Sequence, residues 1–237
     1  MSSPSKCLAF MILAATTAIG YAGADAVPDQ AAVLHGVDAA VLMRVNHIAG
    51  YTVTERYRVF HGSDETHPVA EMTVKTTYRR ETGKSYQILS ESGSALIRRV
   101  GLYPLLENER TINLPRNVAQ SWITTANYTM AVQQGTQQID GRTCAGLSIN
   151  PRRKAPNLIV GTVWVDANDY SIVRLEGVAS KAPSVLASVT HLVRQYAPIH
   201  GFSMATHARA ESSTFVYGRT VVTIDYSGYE IETAGNQ

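Results

Sequence analysis

The chain has 237 residues, of which 45% are hydrophobic and 17% charged, with a formal net charge of +2 and 2 cysteines. So nearly neutral a balance provides no electrostatic footprint for nucleic acid, which needs a strongly basic face. The basic spots Arg79-Arg80, Arg98-Arg99 and Arg152-Arg153-Lys154 read as solvated strand ends, and Cys144 has no cysteine partner once the segment holding Cys7 is removed.

Lys6 precedes an apolar run from Cys7 to Ile19, and Ala22-Gly23-Ala24 then supplies the small-x-small pattern of a signal peptidase site. Residues 1–24 read as a signal peptide and 25–237 as a single exported domain. A spanning helix needs about 20 apolar residues, so this run is too short to make the chain an integral membrane protein. Cys7 opens the run instead of following it, which argues against lipid attachment.

The mature chain begins with a helix. Leu34, Val37, Val41, Val45 and Ile48 recur at spacings of three and four, Asp29 is placed to cap the start, and Gly50 to stop it. Alternation follows. Tyr51, Val53, Tyr57 and Val59 share one side of a strand, and Thr52, Thr54, Arg56 and Arg58 share the other. Beyond a loop from His61 to Pro68, Ala70, Met72, Val74 and Tyr78 repeat the pattern, and Glu81-Thr82-Gly83 turns into a third strand at about 84–91. Period-two patterning of this kind marks antiparallel sheet with one wetter face.

Ser94 is placed to cap a helix over 95–112 carrying Leu96, Val100 and Tyr103, which Pro104 must kink or divide. Residues 113–126 read as a polar loop with Trp122 near its end. Seven strands then follow at about 127–134, 142–150, 160–166, 170–178, 188–197, 202–211 and 214–230. Asp140-Gly141 is a hairpin signal, and Gly218 and Gly228 mark expected bulges in the last strand.

Candidate chemistry is sparse. Asp166-Ala167-Asn168-Asp169 suggests a cation loop, but Tyr170, Ser171 and Gly177 stand where a calcium-binding loop needs an oxygen ligand, a glycine and a glutamate. Asp and Asn are also the residues tight turns prefer, so the segment reads as a hairpin turn. His61, Asp64 and His67 are close in sequence yet lack any recognised metal-ligand spacing. Gly201-Phe202-Ser203-Met204-Ala205 approximates a nucleophile elbow, but strands follow Ser203 and no histidine comes after Asp225. No phosphate loop or dinucleotide fingerprint is present. The reading is therefore a protein that is not an enzyme, with no cofactor and no metal; a hydrolase built on Ser203 or His207 is the weakest of the alternatives.

A distributed signal remains. Met72, Tyr78, Tyr86, Trp164, Tyr170, Phe202, Phe215 and Tyr217 place large side chains on many strands. A curled sheet with these inside forms either an apolar groove, covered by 95–112, or a closed core; patterning does not separate the two.

Six stretches carry a resemblance: YTVTERYRVF, GKSYQILSESGSALIRR, LLENER, IDGRTCAGLSINPRRK, GTVWVDANDYSIVRLEG and GRTVVTIDYSGYEI. In this order they resemble exported bacterial proteins described as outer-membrane lipoprotein-sorting-like, similar to the LolA/LolB superfamily of lipoprotein carriers. The resemblance spans about Val41 to Ile231. It implies an α+β, mainly β fold: a strongly curved antiparallel half-barrel with an N-terminal helix and a helical insertion covering the open side. It implies a periplasmic protein that carries an acyl chain or lipoprotein without covalent chemistry. The groove and lid would be lined by Met72, Tyr78, Tyr86, Leu96, Val100, Tyr103, Trp122, Trp164, Tyr170, Phe202 and Phe215. The alternative is an envelope interaction or sensory module of the same fold, its groove filled by its own side chains, binding a protein partner.

Overall fold

The structure is a computed structural model that describes residues 29–181, 190–214 and 218–235. The export segment, Phe215 and Tyr217 lie outside the described residues.

Helix α1 spans Gln30–His47. The Asp29 carboxylate accepts the Ala31 N–H at 3.1 Å, the expected N-cap. Its end differs from expectation: the chain turns extended at Ile48, and Gly50 already lies in the first strand. The helix ends on arginine instead of glycine, since Arg80 Nη2 donates to the carbonyls of Asn46 (2.8 Å) and Ile48 (2.9 Å). A Cβ on Gly50 would sit 2.8 Å from the Tyr78 carbonyl, so that glycine serves close strand approach.

Among the described residues ten strands form one sheet: β1 (Ile48–His61), β2 (Ala70–Arg79), β3 (Gly83–Gly93), β4 (Tyr128–Ile139), β5 (Arg142–Pro151), β6 (Ile159–Asp166), β7 (Ile172–Ala179), β8 (His191–Ile199), β9 (Phe202–Thr214) and β10 (Gly218–Thr233). Every pairing is antiparallel, in the order β3-β2-β1-β10-β9-β8-β7-β6-β5-β4, so β10 returns to join the two runs at β1. The sheet is curved and unclosed. Bulges bend it: Gly228, at φ 65°, is the extra residue where β10 passes Thr52–Thr54, and a register shift surrounds Gly135 in β4. The expected bulge at Gly228 is present, whereas Gly218 stands at the start of β10 and pairs with Thr214, closing a hairpin.

Asp140 (φ 50°) and Gly141 (φ 77°) make the β4–β5 turn, both in the left-handed region a two-residue hairpin requires. At the β6–β7 turn, Asp166 accepts the Asn168 N–H at 2.7 Å and Arg142 Nε at 2.7 Å, and Asp169 accepts the Ser171 N–H at 2.8 Å. The acidic cluster is occupied by its own turn.

Between β3 and β4 lies the helical insertion: α2 (Ala95–Ile97), a π-helical turn over Arg98–Leu102, α3 (Tyr103–Ile112), α4 (Pro115–Val118) and a 3₁₀ turn at Ala119–Ser121. The division expected at Pro104 takes the form of that π turn, in which the Tyr103 N–H reaches back to the Arg98 carbonyl. A widened turn just ahead of a proline accommodates a ring that has no N–H to offer. The stretch 113–126 is more ordered than a loop, because Pro115 opens α4.

Two cores fill the concave side. Val33 and Val37 of α1 pack on Leu147, Ile149, Val163 and Leu175. Leu102 and Leu106 of the insertion pack on Tyr57, Met72, Val74 and Ile224. The helices therefore cover different parts of the sheet, and a space lies between them.

Candidate functional site

That space is a cavity of about 530 Å³ between the sheet and the insertion. Small-molecule sites fall in the range of ~300–1,000 Å³. Leu105 and Ile112 of α3 line it from above, Trp122 and Ile123 from the segment after the 3₁₀ turn, and Leu175 and Leu192 from β7 and β8. The floor is open because β9 presents small side chains there, Ala205, Ala208, Ala210 and Ser212. Larger residues at these positions would fill the space with core.

The cavity is not uniformly apolar. Glu55 of β1 shares the inward face with Val53 and Tyr57, and it is 1% exposed. The Tyr57 hydroxyl donates to its carboxylate. Lys84 of β3 reaches in beside it, its Nζ 3.2 Å from Glu109 Oε2 on α3 and 4.0 Å from Glu55 Oε1. Arg194 of β8 and Tyr226 of β10 complete the polar wall.

These groups are tuned by one another. Burial pushes the Lys84 ammonium down, but the oxygens of Tyr51, Glu109 and Glu55 outweigh it and hold its pKa well above the usual lysine value. Burial likewise pushes the Glu109 carboxyl up, and Lys84 and Arg194 more than reverse this, leaving it below the ordinary glutamate value. Desolvation raises Tyr57, Tyr86 and Tyr226, so all three hydroxyls stay protonated. Lys84 and Glu109 thus hold one another charged beside neutral phenols.

Among the residues expected to line a groove, Tyr78 and Trp122 do so, Tyr78 stacked on Tyr51 at 5.1 Å between ring centroids. Met72 is buried inside the second core, and Tyr86 packs against that core. Leu96, Val100 and Tyr103 are on the outer surface of the insertion, 63%, 59% and 39% exposed, while Ile97, Leu102 and Leu106 take the face that meets the second core. The Tyr103 hydroxyl donates to Glu91 at 2.7 Å.

Trp164 points away from the cavity. Val163 and Val165 take the inward face of β6, and the Trp164 ring instead meets the Arg174 guanidinium at 5.6 Å. Tyr170, at φ 57° in the β6–β7 turn, packs against the α1 side of the first core; a Cβ on Gly36 would come within 2.3 Å of its ring. Phe202 begins β9 opposite Ile199 and does not line the cavity, and Phe215 lies outside the described residues.

The remaining candidates are engaged elsewhere. Asp64 accepts from the backbone and hydroxyl of Thr66 and from His67 Nδ1 at 3.0 Å, closing its own loop. Ser203 Oγ donates to the Ile172 carbonyl, while His207 Nδ1 pairs with Asp225 at 2.8 Å. Four residues along a strand separate Ser203 from His207 by ~13 Å, too far for a nucleophile and its base. Among the described residues no three His, Cys, Asp or Glu side chains are grouped to hold a metal ion, and no helix is long and apolar enough to cross a membrane.

No family model matches the chain, and no curated protein matches it. Three solved structures are similar to it in fold. A LolA superfamily protein from Nitrosomonas europaea is 11% identical, with a TM-score of 0.45 over 86% of this chain and 93% of that one. A domain described as an outer membrane lipoprotein-sorting protein, from Vibrio parahaemolyticus, is 13% identical, with a TM-score of 0.48 over 85% and 92%. A DUF1329 family protein from Desulfovibrio piger is 15% identical, with a TM-score of 0.43 over 86% and 95%.

Proposed function

We propose that this protein is a periplasmic carrier that holds an acyl chain, free or as part of a lipoprotein, in the cavity under the insertion, without covalent chemistry. The observation that carries this reading is the cavity itself: about 530 Å³ of space walled by Leu105, Ile112, Trp122, Ile123, Leu175 and Leu192. Each methylene moved from water into such a wall contributes about 0.8 kcal/mol, so a chain of modest length binds firmly. Lys84, Glu55 and Glu109 compensate one another and do not exclude an apolar chain lying above them. Native mass spectrometry of protein purified from the periplasm tests the reading. Adducts of acyl-chain mass, removed by delipidation and regained with added lipid, are expected; a clean mass before delipidation and no uptake afterwards overturns it.

A second reading, an interaction module for an envelope protein, draws support from Leu96 and Val100 on the outer face of the insertion. Exposed aliphatics grouped on one helix face suit a partner surface. Stoichiometric capture of one membrane protein, abolished by Leu96→Asp and indifferent to lipid, favours it over the carrier.

A further inference from the structure

Among the described residues three cations line the cavity: Arg44 on α1, Lys84 on β3 and Arg194 on β8. Of the two on the sheet, Lys84 is fully engaged, placed between the carboxylates of Glu109 and Glu55. Arg194 is not. It forms no ion pair among the described residues, and its Nε is buried without an acceptor. The groups that favour its charge are the phenols of Tyr226 and Tyr196 and, after them, the Glu109 carboxylate. A buried guanidinium with an unfilled donor is destabilising unless something supplies an acceptor oxygen. Strand register explains why it points inward: Arg194 alternates with Leu192 and Tyr196, which also line the cavity, and it sits opposite Leu175 on β7 and Ala208 on β9. Ala208 leaves the space above the guanidinium open.

We infer that Arg194 is the headgroup site of the cavity, and that the ligand is an acyl-chain amphiphile ending in an anionic oxygen group, of which a fatty-acid carboxylate is the simplest. This rests on the carrier reading above and narrows it. The apolar wall of Leu175 and Leu192 flanks Arg194 on β7 and β8, so a chain anchored there lies along the wall toward Ile112 and Trp122. Glu109 acts on Arg194 through its field without forming an ion pair with it, since both carboxylates have Lys84 within ion-pair distance and Glu55 also takes the Tyr57 hydroxyl. A guanidinium offers parallel N–H donors matched to a carboxylate or phosphate, a geometry an ester carbonyl meets with one oxygen only.

The test compares palmitate, methyl palmitate and inorganic phosphate on the delipidated protein by titration calorimetry, with Arg194→Gln and Arg194→Lys alongside. Palmitate is expected to bind at least tenfold more tightly than its methyl ester, with the preference falling to about twofold or less in Arg194→Gln and partly kept in Arg194→Lys. Inorganic phosphate is expected not to displace palmitate. Equal binding of acid and ester by the wild-type protein overturns the inference while leaving the carrier reading intact, and needs no variant to fold. Displacement by phosphate at comparable concentration overturns the amphiphile and points to a small anion. Uptake of neither lipid overturns the carrier reading and this one with it.

Discussion

Lys84 Nζ lies 3.2 Å from Glu109 Oε2, joining the edge strand β3 to the helix that roofs the cavity. The same ammonium serves Glu55 on the floor at 4.0 Å, so one side chain holds roof and floor together. Removing it strands two carboxylates in a poorly solvated place. Lys84→Met is expected to cost about 3–5 kcal/mol in urea unfolding, the range for breaking a buried pair from one side. Glu109→Gln keeps the shape and is expected to cost less, about 1–3 kcal/mol, with faster amide exchange over 103–112. A loss confined to stability, with no change in exchange of α3, shows that the pair does not hold the roof.

The same pair sets a pH dependence. Glu109 has a depressed pKa in the folded protein, so the unfolded chain binds its proton first as pH falls. Its contribution is fully present above the ordinary glutamate value of about 4.3 and is lost as pH drops through the lower folded value. Lys84 has a raised pKa, so its contribution is present below the ordinary lysine value of about 10.4 and is lost as pH rises beyond it. Urea midpoints of the wild type and Glu109→Gln are therefore expected to converge below about pH 4 and stay apart between about pH 5 and 9.

Gly83 controls how closely the roof approaches the sheet. Its φ is 85°, and a Cβ would stand 2.6 Å from the carbonyl oxygen of Asn113, at the end of α3. Since the obstacle is backbone, it cannot be relieved by a rotamer change. Gly83→Ala is expected to lower stability by about 1–3 kcal/mol and to raise proteolytic cleavage near Asn113, whereas Gly62→Ala, with open space around it, costs only its positive φ.

Met72 and Leu96 look alike as groove candidates in the sequence and behave oppositely in the structure. Met72 is 1% exposed, and Met72→Ala is expected to cost about 2–5 kcal/mol. Leu96 is 63% exposed, and Leu96→Ser is expected to change stability by no more than about 0.5 kcal/mol. Thermal or urea unfolding of the two variants measures the contrast directly.

The chain has two tryptophans, one lining the cavity and one on the far face of the sheet. Trp164→Phe therefore leaves Trp122 as the single reporter. Its emission is expected to shift to shorter wavelength when an acyl ligand fills the cavity, while Trp122→Phe leaves Trp164 emission unchanged. A shift seen only from Trp164 places the ligand elsewhere.

The element order was legible in the residues because alternation and helical spacing are local. The strand expected over 170–178 is observed at Ile172–Ala179, and the one expected over 142–150 at Arg142–Pro151. Asp29, Asp140-Gly141, Gly228 and Pro104 each act on backbone within their own segment, so their effects are visible without knowing the fold. Gly50 misled because the helix end is capped by Arg80, a residue on a turn two strands later.

The site was less legible. Glu55 stands in the same alternating row as Tyr51, Val53, Tyr57 and Val59, and Arg194 in the same row as Leu192 and Tyr196. A charge at an inward position was the available signal, and so were the alanines of β9. Large rings drew attention instead, and most of them are in the cores or on the outer surface.

The sequence by itself determined the order of the strands and of the two main helical regions, which side of most strands is apolar, and that Asp166 to Asp169 turn the chain. Only the tertiary structure decided which apolar side chains close a core and which leave a cavity. Side-chain direction on a strand is fixed by parity within one segment, but whether an inward residue meets another side chain or empty space depends on what stands opposite. For Arg194 that is Ala208 on the neighbouring strand and the roof held by Lys84, neither of which any local pattern around Arg194 specifies.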